Sequence, residues 1–492
     1  MAKTNRNRRW LALAALCIAV FMSLLDSTIV NVALPTIQSE LKVTYADLQW
    51  VINAYTLSFA MCLLLAAKFG DLFGRKKVFL ISLAIFTLGS LFSSLSMTAL
   101  QLNLSRLFQG VGGAGMMALS MTIVAETFEE KERGIAFGVW SSVVGVATAL
   151  GPVIGGLLIK GFSWRSIFFI NLPIGIIALI MGSRYVDETF GERDRDEKID
   201  WLGMIISTAM IFCLVWGLVQ KEAHSEFGWL DYRISSFFVA GLVLMFLFVV
   251  IEKRLAQPMI DLDIFKSLPF IGTAVASFCL GAGLYAFFTY MTIWMQNYLR
   301  YSAEETGLQQ LAIGMMSLLI GPIAGILSNR FAKRWLIGAG LILIGVGLFE
   351  VVSVVSLTVT YLNYLAGFVI IGIGNAVVNP PLSGAAVDSV ERRFVGIASG
   401  VVNVFRQLGS LFGVVVLGLV LGGGFRDGLA DAGLMRFAEL GPVGAAGAAF
   451  GSSDWIGVFS AFDAGFVDVL VVSIFVVVFG GLVGMLFIRD RR

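Results

Sequence analysis

Asp26 stands inside the apolar run Trp10 to Val32, and Arg106 stands inside another that begins near Leu100. A charge at membrane depth costs at least ~2.5–3.5 kcal/mol on insertion scales, so each one marks a function or a structural partner. Asp26 lies about 24 Å past Trp10 at 1.5 Å per residue, and Arg106 lies near the start of a helix running the other way, which sets the two charges at similar depth. A carboxylate beside a cation in a low dielectric exchanges between charged and protonated forms with small changes of surroundings, so Asp26 is a candidate for reversible protonation. The other reading is a static ion pair that orients two helices. His224, the single histidine, falls in a loop, which leaves intramembrane proton chemistry to carboxylates.

A second polar set lies on the thirteenth apolar stretch, where Ser399, Asn403, Arg406, Gln407 and Ser410 recur at three- and four-residue spacing on one helix face. Arg406 falls near the midplane, where it could hold a substrate or counter-charge a carboxylate; helix-to-helix hydrogen bonding is the alternative. Asn375 and Asn379, a turn apart on the preceding stretch, join the same polar interior. The ninth stretch is crowded with Phe278, Tyr285, Phe287, Phe288, Tyr290, Met291, Trp294 and Met295. Aromatic faces attract organic cations and methionine adapts to varied shapes, which makes Tyr285, Phe288 and Met291 candidate lining of a permissive pocket. Trp294 suits an interfacial belt equally well, and ordinary packing accounts for any single one of them. Glu350 is expected away from a central cavity, and Asp468 in water near a helix end. No nucleophile and base pair is visible, and Cys17, Cys62, Cys213 and Cys279 lack zinc or disulfide spacing, so neither an enzyme nor a metal site is expected.

The elements that must position these residues are membrane helices. Of 492 residues 58% are hydrophobic and 14% charged, against about 45–50% and about 25% in soluble domains, which excludes a water-soluble chain. Nucleic-acid binding has no support. Stretches of about 20 apolar residues fall near 10–33, 48–67, 78–97, 100–124, 134–159, 166–184, 201–220, 234–251, 269–294, 307–328, 335–357, 360–384, 394–421 and 465–488. The first run is too long for a signal peptide and is read as a retained helix. With the N-terminus placed in the cytoplasm, most of the 35 lysines and arginines fall on that side, and the opposite segments hold only Lys42, Lys160, Arg165, Lys221, Arg233, Arg300, Arg426 and Arg436. That bias supports fourteen helices with both termini cytoplasmic.

The turn GDLFGRKK, Gly70 to Lys77, has a weak echo in LSNRFAKR, Leu327 to Arg334. The expected architecture is therefore an all-α polytopic membrane protein: a six-helix bundle over residues 1–184, a linker with two inserted helices over 185–260, and a second six-helix bundle over 261–492. The charged stretch Asp187 to Asp200 marks the first linker. A long extracytoplasmic loop is expected at 422–464, with an amphipathic stretch from Leu429 to Leu440 and an apolar end from Trp455 to Phe462; it folds over the vestibule, lies in the interface, docks an adaptor or is a plain connector. Among the 55 glycines, those of GPVIGG, Gly151 to Gly156, sit at close-packing spacing beside Pro152, and the motif is read as a bendable contact between halves.

These motifs together resemble the major facilitator superfamily, specifically its fourteen-helix drug:proton antiporters, over nearly the whole chain. LDSTIVNVALP (Leu25 to Pro35) resembles the family's helix 1 signature and LNLSRLFQGVGGA (Leu102 to Ala114) its helix 4 motif; the resemblance implies proton coupling through Asp26 and Arg106. AKFGDLFGRKK resembles the gating motif, with Asp71, Gly74, Arg75 and Lys76 matched and with Ala67 and Leu72 replacing the usual glycine and arginine. ALGPVIGG resembles the antiporter motif with Gly151, Pro152, Gly155 and Gly156, Ala147 departing from its first glycine, and WRSIFFINLPIG (Trp164 to Gly175) is similar to the fourteen-helix branch. LSNRFAKR places Asn329 where aspartate is usual, and GIASGVVNVFRQLGSLFG (Gly396 to Gly413) is similar to the branch's helix 13. The resemblance implies export of lipophilic, cationic compounds by alternating access in the cytoplasmic membrane, driven by the proton gradient without a cofactor; a monomer is expected, although the sequence does not fix the oligomeric state. Two other readings are a dedicated exporter of one metabolite, antibiotic or lipid, and a receptor or scaffold on a transporter fold.

Overall fold

The computed structural model describes residues 6–42, 45–191, 200–224, 227–255, 258–356, 359–391 and 394–489. Lys3, Arg193, Arg195, Lys198, Arg392, Arg393, Arg491 and Arg492, part of the charge bias above, lie outside the described residues, as does most of the linker Asp187 to Asp200. Among the described residues there is no strand, and the apolar stretches form α1 (Arg6–Leu41), α2 (Tyr45–Phe73), α3 (Arg75–Leu95), α4 (Ala99–Thr127), α5 (Glu130–Gly161), α6 (Ser166–Tyr185) and α7 (Trp201–Ala223). They continue with α8 (Tyr232–Glu252), α9 (Leu268–Tyr298), α10 (Ala303–Ser328), α11 (Lys333–Val354), α12 (Tyr361–Asp388), α13 (Val395–Asp431) and α14 (Trp455–Phe487). Thirteen are long and apolar enough to cross a membrane as they stand; α5 is the fourteenth when its two parts, Lys131–Ala147 and Leu150–Gly161, which meet at 45°, count as one span. Pro152 lies just after that bend, where its missing N–H and its ring disturb the preceding turn.

Side chains at the helix starts satisfy N–H groups that the first turn leaves unpaired. Thr98 accepts from Gln101 at α4, Asp200 from Gly203 at α7 and Asp231 from Arg233 at α8, while Ser302 and Glu305 cap α10 reciprocally. One apolar core buries Leu16, Phe79, Phe86, Met116 and Trp140 among the first six helices, and another buries Phe287, Leu341, Phe368 and Phe466 among the last six. The inserted helices α7 and α8 pack on each other, and α7 lies against α2 and α13.

α5 and α10 form the main seam between the two sets. A methyl on Gly138 would stand 2.9 Å from Pro322 Cα, one on Gly145 would stand 2.6 Å from Ser317 Cβ, and one on Gly134 would collide with the carbonyl of Gly325. Helices this close exclude any side chain at those positions. GPVIGG does contact the second half, but through one face only. Gly151 and Gly155 share a face of α5 and meet Thr28 and Ile29 of α1, within the first half, whereas only Pro152, Val153 and Gly156 turn toward α10. Helical periodicity separates the two faces, which a linear motif does not display.

The expected loop at 422–464 is corrected. α13 continues to Asp431 and α14 already starts at Trp455. A methyl on Gly424 would lie 2.7 Å from Gly465 Cα, and one on Gly428 the same distance from Ala461 Cα. Gly424 and Gly428, two of the glycines that suggested a loop, are close contacts of two long helices. At 37 residues α13 is about 55 Å long and projects beyond a hydrocarbon core of about 30 Å. Between the helices lie a 3-10 turn, Met435–Leu440, and a short helix, Gly441–Ala449.

Candidate functional site

α1 and α4 bring Asp26 and Arg106 together as an ion pair in which neither residue is more than 1% exposed. The remaining acceptor capacity of the carboxylate is taken up by amides that sequence reasoning did not single out: Gln109 Nε2 and Asn171 Nδ2 each donate to Asp26 Oδ1 at 2.9 Å. Both amides also donate to Ser90 Oγ, at 2.7 and 3.2 Å, which draws α3 into the cluster. Arg106 donates through one terminal nitrogen to Gln109 Oε1 at 2.8 Å and through Nε to the carbonyl of Val51 at 3.1 Å, and its guanidinium lies 4.3 Å over the Tyr55 ring. Gln109, three residues after Arg106, was legible from helical spacing; Ser90 carried no such signal. The partners in this cluster lie on α1, α2, α3, α4 and α6, all within the first half.

At the face where α1 begins, Arg75 donates through Nε to Asp71 Oδ1 at 2.8 Å and pairs with Glu126 at 3.4 Å. Gly74 has φ 104°, a conformation that side chains rarely adopt, and a Cβ there would lie 2.7 Å from the Glu188 carboxyl carbon. Glu188 uses this approach to accept from the backbone N–H groups of Lys76 and Lys77 at 2.8 and 3.1 Å, capping α3, while Lys76 Nζ donates to the carbonyl of Ser183 at 2.7 Å. Asp71 reaches across to the second half: a Cβ on Gly396, in the first turn of α13, would stand 2.7 Å from its carboxyl carbon. The N-terminal end of a helix attracts a carboxylate. Nearby, Asn329 donates to the carbonyl of Lys131 at 2.9 Å, and Asp388 pairs with Lys333 and, at 3.3 Å, with Arg133 of α5. These contacts close this face between the halves.

A third set crosses the middle of the interface. Ser142 of α5 donates to the carbonyl of Ser317 on α10 at 2.8 Å, and Asn375 donates to Ser317 Oγ at 3.2 Å. Asn379 donates to Asn375 Oδ1 at 2.7 Å, Arg406 donates to Asn379 Oδ1 at 3.5 Å and to Asn403 Oδ1, and Asn403 contacts Met121 Sδ of α4 at 3.8 Å. The structure thus joins Asn375, Asn403 and Arg406 in one chain from α5 to α4. Gln407 is half-buried beside it.

The aromatic candidates divide. α9 contains two wide π turns, Gly281–Tyr285 and Trp294–Tyr298, and Gly281 packs against the backbone of Arg406, which sets Tyr285 near the polar chain. Phe288 is half-buried against the second core, and Met291 is fully buried within it, so Met291 is a packing residue and not pocket lining. Trp294 is likewise no interfacial residue: it stacks on Phe466 and donates to Asp463 Oδ1 at 3.1 Å. Glu350 is half-buried on α11, away from the polar chain, and exposed Asp468 lines a cavity of about 460 Å³ with Asp427, Asp431 and Asp463 at the opposite face. Among the described residues no group of three His, Cys, Asp or Glu is placed to hold a metal ion.

The family model described as "Major Facilitator Superfamily" matches residues 16–414. The tetracenomycin C resistance and export protein of Streptomyces glaucescens is 32% identical over 440 residues, 88% of this chain and 80% of that protein. Multidrug resistance protein Stp of Mycobacterium tuberculosis is 33% identical over 413 residues, 84% of this chain and 75% of that protein. The solved structure of the proton:xylose symporter XylE superposes with a TM-score of 0.63 at 12% identity, covering 99% of this chain and 97% of that one, a likeness of fold alone.

Proposed function

The chain belongs to the Major Facilitator Superfamily, whose members are membrane transporters and not enzymes, and on that premise we propose that it is a proton-coupled antiporter exporting lipophilic small molecules across the cytoplasmic membrane. Relatives named for drug resistance and export support the direction of transport. The Asp26–Arg106 pair carries the proton assignment, since it is a fully buried ion pair that spans two helices of one half. Breaking such a pair by removing one charge leaves the other uncompensated and costs about 3–5 kcal/mol. Protonation of Asp26 is such a removal, and it frees Arg106 to move.

Arg106 also holds the Val51 carbonyl at one end of α2, and Asp71 sits near the other end, against α13. A stiff helix therefore links the proton site to the closed face. In this reading the bundles 1–184 and 261–492 rock about the polar chain through Asn375, Asn403, Arg406 and Gln407, with 185–260 as an inserted element. Arg6, Arg8, Arg9, Lys68 and Lys333 share the closed face, which supports a cytoplasmic assignment for it and an outward-facing state for the structure. One proton moving inward gains about 2.3 kcal/mol per 100 mV.

Energised everted vesicles test this by proton release upon addition of a panel of lipophilic drugs. Wild type should release protons and accumulate at least one drug, and Asp26→Asn should be inserted but unable to accumulate it uphill. Uphill accumulation by Asp26→Asn overturns the coupling assignment. The name of the tetracenomycin relative favours a second reading, a dedicated exporter of one compound, for which the panel would give a single narrow response.

A further inference from the structure

Arg406 lies eleven residues into α13, near mid-membrane, and is 7% exposed. A guanidinium has five N–H donors and a permanent charge. Its partners are two neutral amide oxygens, of Asn379 and Asn403. Among the described residues no carboxylate pairs with it. This is the opposite of Arg106, which is neutralised by Asp26 in the first half. Burying an unpaired charge is costly, and the cost is removed when an anion arrives.

Two further groups point to a ligand. Tyr285 ends the π turn of α9 whose first residue, Gly281, packs against the Arg406 backbone, and its hydroxyl is buried without a hydrogen-bond partner. Ser399 Oγ, two turns from Arg406 on the same face of α13, is likewise buried and unpartnered. A cation, a hydroxyl that donates and a second hydroxyl make a set that suits a carboxylate or another planar oxyanion, which a guanidinium binds through two parallel hydrogen bonds. The same set repels an organic cation. The half-buried ring of Phe288 lies one turn further along α9 and offers apolar surface for the rest of the molecule.

We propose that Arg406, with Tyr285 and Ser399, binds the acidic group of an aromatic or lipophilic organic anion, and that such anions are the substrate class. The proposal rests on the exporter reading above and gives it a charge sign. Exchange of one inward proton for one outward anion moves two charges across the membrane, whereas exchange for a monovalent cation moves none. Transport of the anion therefore responds to membrane potential even with the pH gradient collapsed.

Three probes sharing one ring system test the site: 2-naphthoate, the neutral 2-naphthalenemethanol and the cationic 2-naphthylmethylammonium. The full-length protein is purified in detergent and its thermal stability measured against each at constant ionic strength. Accumulation of the same probes is followed in everted vesicles. Naphthoate alone should stabilise the wild type, and its apparent affinity should fall about tenfold or more in Arg406→Gln, the range expected for a lost hydrogen bond to a charged group. Arg406→Lys should lose part of it, and Tyr285→Phe a smaller part with the fold intact. Should Arg406→Gln not fold, these two variants carry the comparison. No stabilisation by naphthoate, equal stabilisation in the Arg406 variants, or preference for the ammonium probe overturns the anion site. Accumulation of the ammonium probe with proton release would remove the anion site and leave the exporter standing. Naphthoate binding that depends on Arg406, with no probe accumulated, would do the reverse.

Discussion

Arg106 Nε donates to the carbonyl of Val51 at 3.1 Å, so the cation that neutralises Asp26 on α1 also grips α2. Asp71 lies on the same helix about 30 Å away, against the start of α13. The position of one guanidinium is in this way tied to the contact that closes the far face.

Arg106→Ala should destabilise the purified protein by about 3–5 kcal/mol, because it strands a buried carboxylate. Asp26→Asn combined with Arg106→Ala should cost less than the two single changes added together, since each removes the charge that the other leaves unpaired. Thermal unfolding in one detergent checks both, and strict additivity would show that the two residues do not act as a pair.

Gly396→Val should push Asp71 from the first turn of α13, since the added Cβ alone would lie 2.7 Å from its carboxyl carbon. The closed face should then open. Cysteine probes placed at Lys131 and Asn329, which already meet across this face, would crosslink less readily than in the parent, and unchanged crosslinking would separate Asp71 from the latch.

Within GPVIGG the glycines should differ. Gly151→Ala puts a methyl 2.7 Å from Thr28 Cβ and 3.1 Å from the Ile29 nitrogen, an overpacking that costs about 1–3 kcal/mol. Gly156→Ala meets Glu304 Cβ at an ordinary 3.6 Å and should be neutral, or stabilising by up to about 1 kcal/mol through helix propensity. Melting temperatures of the two variants, measured side by side, decide whether the motif acts as one unit.

Gly74→Ala should be more harmful than Glu188→Gln. The first forces a side chain into positive φ and into the carboxylate, at about 1–2 kcal/mol for the backbone alone, and it displaces the cap as well. The second weakens only the cap at α3, within about 0.5–2 kcal/mol. Equal loss of folded yield would mean that the backbone conformation at Gly74 is relaxed by the substitution.

Membrane architecture and much of the buried Asp26–Arg106 cluster were open to reading in one dimension. Hydrophobic length alone delimits a span, and a buried charge is conspicuous because water is absent on every side, so Asp26, Arg106 and Arg406 stood out before any contact was known. The resemblance carried by LDSTIVNVALP and AKFGDLFGRKK extended this to the family. Tertiary structure alone decided which charge had a partner: Asp26 and Arg106 neutralise each other with Gln109, Asn171 and Ser90 around them, while Arg406, among the described residues, has only amides. It also decided that Gly424 and Gly428 pack helices instead of ending one, and that Met291 faces a core. The physical reason is common to all three. Helix length and charge are properties of a segment, whereas rotation about the helix axis is set by what the neighbouring helices present, and hydropathy averaged over a turn carries no record of it.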